Sequence, residues 1–502
     1  MEDNPPARAT WITPRFILCL FCVVNALIYV DRGVIASNGV NGAPASGDEP
    51  GYGIVGTFGL TLFEDGLLPA AFMVGLLLAS PIFAQASHRA SALRLMGLGL
   101  AIWSLAAAGC ALSTGFWSLL FSRMLVGVGE ASFVALAAPF IDDAAPPHRK
   151  TQWLAFFYLC IPAGIASGYV IGGVLAAALG WRAPFLIEAV VMLPFVAFCQ
   201  TAPPLRLKGS GREEEAWADS GAAGGSEAGP STAQRQLPQL RVRVPLTPDV
   251  SPAAAPPPSV LREAVEHWGT LLQLPVFLSV LVGMTGMTCV LGTFAYYGPK
   301  AAREVFQVPP ERADLSFGAV TIVTGIAGTL AGGLLLDRVG SSVRNALVLC
   351  GASLLCGGVL LTAAFALAPT YVSFMAVIAA GELGLFMSQA PSNAAVLWSV
   401  PQTLRPTAMS LSVIAIHLFG DVPGPPLLGL LQQRLQAWRL SLGLWSAILL
   451  LAGGAYLYAL GPLETAPDYR QGEAGGGAGG AEEGNGGGAA APSEADPLLN
   501  AA

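Results

Sequence analysis

Asp31 and Arg32 stand side by side near the far end of an otherwise apolar stretch, Phe16 to Ser37, that is long enough to span a bilayer. On insertion scales a charge inside a span costs roughly 2.5 to 3.5 kcal/mol, and more when unpaired, so such residues are kept there mainly for function. Consecutive residues on a helix point about 100° apart and do not face each other. Each charge therefore needs a partner on another helix or in a wet cavity. Later apolar runs supply candidates in Arg123 and Glu130, Glu382, and His417 with Asp421. Carboxyl and imidazole groups held in this way can pass protons, and guanidinium and imidazole groups can hold an anionic head group.

The elements that must position these residues follow from composition. With 54% hydrophobic and 11% charged residues over 502 positions, the chain is too apolar for a soluble globular protein and reads as an all-α integral membrane protein. Apolar runs of about 20 residues predict helices 1 to 6 near 16–38, 62–84, 92–112, 116–140, 151–178 and 183–201. Helices 7 to 12 follow near 271–297, 313–335, 345–367, 371–397, 404–431 and 438–461. Residues 202–268 are rich in Gly, Ala, Pro and Ser with an acidic cluster at Glu213, Glu214 and Glu215, and 462–502 are dominated by Gly, Ala and Glu. Both are read as disordered. The layout is thus a terminus (1–15), a six-helix half (16–201), a linker, a second six-helix half (269–461) and a tail. Two such half-bundles, related by a pseudo-two-fold axis, place a substrate cavity at their interface near the midplane.

Orientation follows from the basic residues. Short segments on the N-terminal side carry Arg8, Arg15, Arg89, Arg94, Arg149, Lys150, Arg338, Arg344, Arg405 and Arg470, against Arg182, Lys300, Arg303, Arg312, Arg434 and Arg439 on the other side. The positive-inside bias puts both termini and the linker in the cytoplasm. At 1.5 Å per residue, Asp31 lies about 22 Å from the start of helix 1, and Arg123 on antiparallel helix 4 reaches a similar depth. These two can pair. Glu130, seven residues beyond Arg123, shares its face about 10 Å nearer the cytoplasm. With no cation assigned to it, Glu130 takes a proton readily, whereas a proton arriving at Asp31 competes with Arg123, which suggests a relay. The competing account is a static bridge fixing helix 1 to helix 4. Arg32 binds an anionic head group or pairs with an acid that the sequence does not single out. In the second half, His417 and Glu382 both fall near mid-helix and can share the cavity, and Asp421 follows His417 at i+4 on one face.

Three strings carry a family resemblance: Tyr29-Val-Asp31-Arg32, Arg123-Met-Leu-Val-Gly127-Val-Gly129-Glu130-Ala131-Ser132, and His417-Leu-Phe-Gly420-Asp421. Together they resemble the Spinster family of the major facilitator superfamily, and Gly333-Leu-Leu-Leu-Asp337-Arg338-Val-Gly340 resembles the superfamily's loop signature. The stretch from Asp31 to Gly42 looks closest to the plant and algal Spinster-like branch. The resemblance implies a 12-helix major facilitator fold and secondary transport of lysophospholipids or sphingoid lipids such as sphingosine 1-phosphate. It also implies proton coupling, and a late endosomal, lysosomal or vacuolar membrane. One departure stands out. The first-half loop reads Ser80-Pro-Ile-Phe-Ala-Gln85-Ala-Ser-His88-Arg89, without the acid the superfamily places there, so a cytoplasmic latch falls to Asp337 and Arg338.

Other features read more plainly. Gly164, Gly168 and Gly172 make a smooth stripe for close helix packing. Tyr296 and Tyr297 suit an interfacial belt. Glu64 and Asp65, after a loop with Asp48 and Glu49, read as solvated acids at a helix start, with an outer gate to Lys300 or Arg303 as the alternative. The eight cysteines lie in or beside apolar runs and suggest neither disulfides nor a metal. No Gly-rich phosphate loop, Ser-His-Asp set or HExxH motif marks an enzyme, no cofactor is expected, and the net charge of −7 argues against a nucleic-acid partner. Glu494-Ala-Asp496-Pro-Leu498-Leu499 fits an acidic dileucine signal read by clathrin adaptors from a cytoplasmic tail. The expectation is a proton-coupled carrier of a single-chain lipid, its head meeting Arg32, His417 or Glu382. A carrier of a soluble organic anion or sugar, and a non-transporting membrane sensor or scaffold, are the alternatives.

Overall fold

The computed structural model describes residues 13–45, 50–87, 90–145, 150–202, 267–465 and 469. The expected linker, almost all of the tail with Glu494, Leu498 and Leu499, and the loop residues Asp48, Glu49, His88, Arg89 and Arg149 lie outside them. Among the described residues twelve helices are long and apolar enough to cross a membrane. Helices 1 to 6 are Pro14–Ala36, Leu62–Ala86, Ala92–Ala111, Phe116–Ile141, Phe156–Leu179 and Arg182–Thr201. Helices 7 to 12 are Pro275–Phe306, Pro310–Val339, Val343–Leu367, Tyr371–Trp398, Thr407–Leu435 and Trp438–Leu463.

Local chemistry sets several of their ends. Thr13 caps helix 1, accepting from the Phe16 amide at 3.2 Å, with Pro14 at the first turn, where its missing N–H costs nothing. Thr61 and Glu64 form a capping box at the start of helix 2. Helix 7 runs to Phe306, beyond the predicted end near 297, so Lys300 and Arg303 belong to the helix rather than to a loop. Helix 1 breaks at Ser37, whose extended backbone leads into a short turn of helix, Asn38–Asn41. The single helix predicted near 404–431 is also interrupted. Residues His417–Asp421 form a π-helical turn, with the Val422 amide donating to the His417 carbonyl at 2.9 Å, and Pro423, Pro425 and Pro426 follow. Proline lacks the amide that a continuous helix needs, so the hydrogen-bond ladder is weakened here and an irregular turn is permitted.

Helix 1 pairs with 5, 2 with 4, and 3 with 4 and 6; the second half repeats this with 7 and 11, 8 and 10, and 9 with 10 and 12. The halves meet where helix 2 crosses 11 and helix 5 crosses 8, positions that exchange under the same repeat. Helices 1 and 5 are in backbone contact. A Cβ on Gly33 would fall 2.0 Å from the Ile165 carbonyl oxygen, and one on Gly168 2.2 Å from that of Val30, so the helix 5 glycine stripe packs against helix 1. Large apolar side chains such as Leu105, Trp117, Val190, Leu330 and Leu451 point outward, as lipid-facing surfaces require. Among the described residues the fold is all helical apart from one isolated bridge, Ala43 to Tyr52.

Candidate functional site

Asp31 and Arg123 meet as the helix depths predict. The guanidinium grips the carboxylate with both arms, at 2.8 Å and 2.9 Å, and both side chains are buried. This fork geometry is the strong form of the pair, since two charge-assisted bonds fix its orientation. The Phe72 and Phe185 rings lie 5.6 Å and 6.0 Å from the guanidinium carbon.

Glu130 is not bare, as the sequence reading had it. Arg32 donates to Glu130 Oε1, which answers both the search for a partner to Arg32 and the lack of a cation at Glu130. The reason is the step from Asp31 to Arg32. A turn of about 100° carries Arg32 away from Arg123 and onto the lower part of the helix 4 face. There Arg32 is stacked between Tyr29 and Phe72, at 4.6 Å and 4.7 Å. Glu130 Oε2 is buried and has no hydrogen-bond partner.

From the other half, His417 Nδ1 lies 2.6 Å from Asp421 Oδ2. The π turn brings this pair to the interface, where Asp421 is close enough to Arg32 to act on it electrostatically. Such turns recur at functional sites because they re-aim side chains within a helix. The side chains of Arg32 and His417 retain 21% and 22% exposure, whereas Glu130, Asp31 and Arg123 are closed off, so these two are the accessible members of the charged set. Glu382 sits elsewhere. It is buried and accepts from Thr324 of helix 8 at 3.1 Å, so its hydrogen bonding ties helix 10 to helix 8 and not to His417. Asp337 and Arg338 are exposed at the end of helix 8, and Asp337 accepts from Ser341 in its own half.

Hydrogen bonds joining the halves gather toward the face opposite the linker. Asp65 is fully buried and takes Lys300 at 3.0 Å, Asn41 at 2.7 Å and Tyr296 at 2.7 Å. Lys300 also donates to Asn41 at 2.7 Å, and Tyr297 to the Leu62 carbonyl at 2.6 Å. The belt reading of Tyr296 and Tyr297 is therefore corrected, because both rings are buried between helices 7 and 2. The two helix-start acids divide: Glu64 caps at the surface, while Asp65 forms the bridge to Lys300. Asp314 of helix 8 accepts from the Asn38 backbone amide at 3.1 Å and 3.0 Å and from its side chain at 2.7 Å. A carboxylate at the amino end of a helical turn is well placed, since the free amides point at it. Arg303 donates to the Tyr52 hydroxyl at 2.6 Å.

Sequence reasoning missed Asp314, the Asn38 and Asn41 turn, and Glu188. Glu188 lies in helix 6 with its carboxyl against that of Asp31 and beside Arg123, is buried, and no donor reaches either oxygen. Its signal was a single acid in an apolar run, the pattern that drew attention to Asp31. Among the described residues no group of three or more His, Cys, Asp or Glu side chains is placed to hold a metal ion.

The Major Facilitator Superfamily profile matches residues 23–425. The chain is 43% identical over 443 residues to the probable sphingolipid transporter spinster homolog 2 of Arabidopsis thaliana, covering 87% of this chain and 85% of that protein. Identity to the probable sphingolipid transporter spinster homolog 1 of the same plant is 41% over 472 residues, covering 92% and 91%. Human protein spinster homolog 1 is 27% identical over 457 residues, covering 86% and 75%. The fold matches a bacterial homolog of the human lysosomal transporter Spinster, solved inward-facing and occupied, with TM-score 0.67 at 17% identity over 90% and 98% of the two chains. The paired membrane charges, the repeated six-helix halves and these likenesses lead to one assignment: the chain belongs to the Spinster family of the major facilitator superfamily.

Proposed function

We propose that the protein is a secondary transporter of single-chain sphingolipids or lysophospholipids, of the sphingosine 1-phosphate type, working by alternating access and linked to protons. The observation that carries this reading is that Arg32–Glu130 of one half and His417–Asp421 of the other lie close enough to interact, while most of the side chains on these helices are apolar. A phosphate or zwitterionic head needs a guanidinium and an imidazole, and its chain needs only apolar wall. A soluble anion would need polar groups along its whole path. The Arabidopsis relatives named as probable sphingolipid transporters, at 40–43% identity, favour the same class.

Proton linkage would work through Glu130 and Asp31. Protonating Glu130, whose Oε2 is free, weakens its hold on Arg32 and leaves the guanidinium for the head group. The Asp65–Lys300 cluster closes the face opposite the linker, and Asp337 with Arg338 would close the linker face in the alternate state. Both termini facing the cytoplasm fits the basic-residue bias, and the Glu494 to Leu499 string fits adaptor-read sorting to late endosomal, lysosomal or vacuolar membranes.

The test is uptake of radiolabelled sphingosine 1-phosphate into proteoliposomes, with competition by unlabelled lysolipids and by soluble anions and sugars. Competition by lysolipids alone supports the reading, and competition by a soluble anion or sugar overturns it.

A further inference from the structure

The first half buries two carboxyls against one guanidinium. Asp31 takes both arms of Arg123, and Glu188 faces the same pair from helix 6, its carboxyl against that of Asp31 and with no N–H or O–H donor of another residue on either oxygen. The other titratable groups that act on this cluster are Cys110 from helix 3, Glu130 from helix 4, itself paired with Arg32, and Tyr296 from helix 7. Helix 5 also packs on helix 6, but its Tyr169 hydroxyl donates to Ala295, its Tyr158 faces Tyr29, and its Cys160 faces Cys22. No second cation answers Glu188 among the described residues, and the Phe72 and Phe185 rings close around Arg123. A buried carboxylate without a cation is expensive, and a group so placed takes a proton instead.

We propose that Glu188 is a second proton site: it holds a proton while Asp31 is paired with Arg123, and exchanges places with Asp31 when that pair opens. One guanidinium then serves two acids in turn. The proton is stored on Glu188 Oε and passes to Asp31 as Arg123 shifts to Glu188. Charge is conserved in the exchange, because the cluster keeps one carboxylate, one carboxylic acid and one guanidinium throughout. For its part in transport this rests on the proton-linked reading above, but the protonation itself does not.

Infrared difference spectroscopy on the purified full-length protein in lipid decides it. At neutral pH the wild type should show a protonated-carboxyl carbonyl band, shifted in heavy water, that disappears in Glu188→Gln. The same band should disappear in Asp31→Asn, because Arg123 is then free to pair with Glu188 and ionise it. That second variant keeps the test alive if Glu188→Gln does not fold. A wild-type-minus-variant spectrum that shows no loss of such a band in either folded variant overturns the proposal. In proteoliposomes loaded with sphingosine 1-phosphate, Glu188→Gln should retain counterflow exchange while losing at least tenfold of the pH-driven accumulation. An unchanged pH profile would remove Glu188 from the coupling. Absence of any flux in the wild type would instead defeat the transport reading and leave the infrared result standing.

Discussion

Replacing Lys300 by Met should push the two halves apart at the face opposite the linker. In the structure Lys300 is the cation of a buried cluster, 3.0 Å from Asp65 and 2.7 Å from Asn41. Methionine keeps much of the volume and removes the charge, leaving Asp65 buried with hydrogen bonds from Asn41 and Tyr296 only. Breaking a buried pair by removing one partner costs about 3–5 kcal/mol. The remaining hydrogen bonds offset part of that, so we take the lower end, about 3 kcal/mol. The cost falls on the closed arrangement, because separation of helices 2 and 7 lets water reach Asp65. At 1.4 kcal/mol per decade, the balance should move about a hundredfold toward the state open on that face. Spin labels at Leu112 and Leu367, exposed at the ends of helices 3 and 9 in the two halves, report the opening as a longer distance. Adding Asp65→Asn should restore most of the closed population, since the uncompensated carboxylate is gone. Identical distance distributions in Lys300→Met and wild type would refute the reasoning.

Arg123→Leu should cost about 3–5 kcal/mol by stranding Asp31, and Asp31→Asn in the same protein should return most of it, both read by thermal unfolding in detergent. Gly33→Ala should destabilise by about 1–3 kcal/mol or prevent folding, because the new methyl meets the Ile165 carbonyl at 2.0 Å, with Gly454→Ala, where nothing lies within 4 Å of the added carbon, as a contrast free of that clash. Arg32→Ala should weaken binding of a phosphate-bearing lysolipid, and in the wild type each methylene removed from the chain should cost about 0.8 kcal/mol by scintillation proximity binding. Affinity indifferent to chain length would argue against a lipid.

Hydropathy made the helices legible because each must cover about 30 Å of hydrocarbon, and the predicted spans fall within a few residues of most observed ones. Helix 7 was cut short because Tyr296, Tyr297, Pro299 and Lys300 lower its apolar content. The structure buries them against the other half, a tertiary fact that local hydropathy does not contain. Depth along antiparallel helices was enough to join Asp31 to Arg123, and i+4 spacing enough to join His417 to Asp421. The Arg32–Glu130 pair needed the rotation of helix 1 about its axis, which sequence spacing alone leaves free. The π turn at His417 was hidden for a related reason. Its Gly420 and Pro423 permit an irregular turn, but only packing against helix 7 selects it.

The central claim is that proton entry at Asp31 and Glu130 drives uphill movement of a single-chain lipid. Its most direct test is accumulation of radiolabelled sphingosine 1-phosphate in proteoliposomes under an imposed pH gradient, with and without a protonophore, for the wild type, Asp31→Asn and Glu130→Gln. The account predicts gradient-dependent accumulation in the wild type that collapses with the protonophore and is lost in both variants while they remain folded. Accumulation that ignores the gradient, or that persists undiminished in both variants, would contradict it.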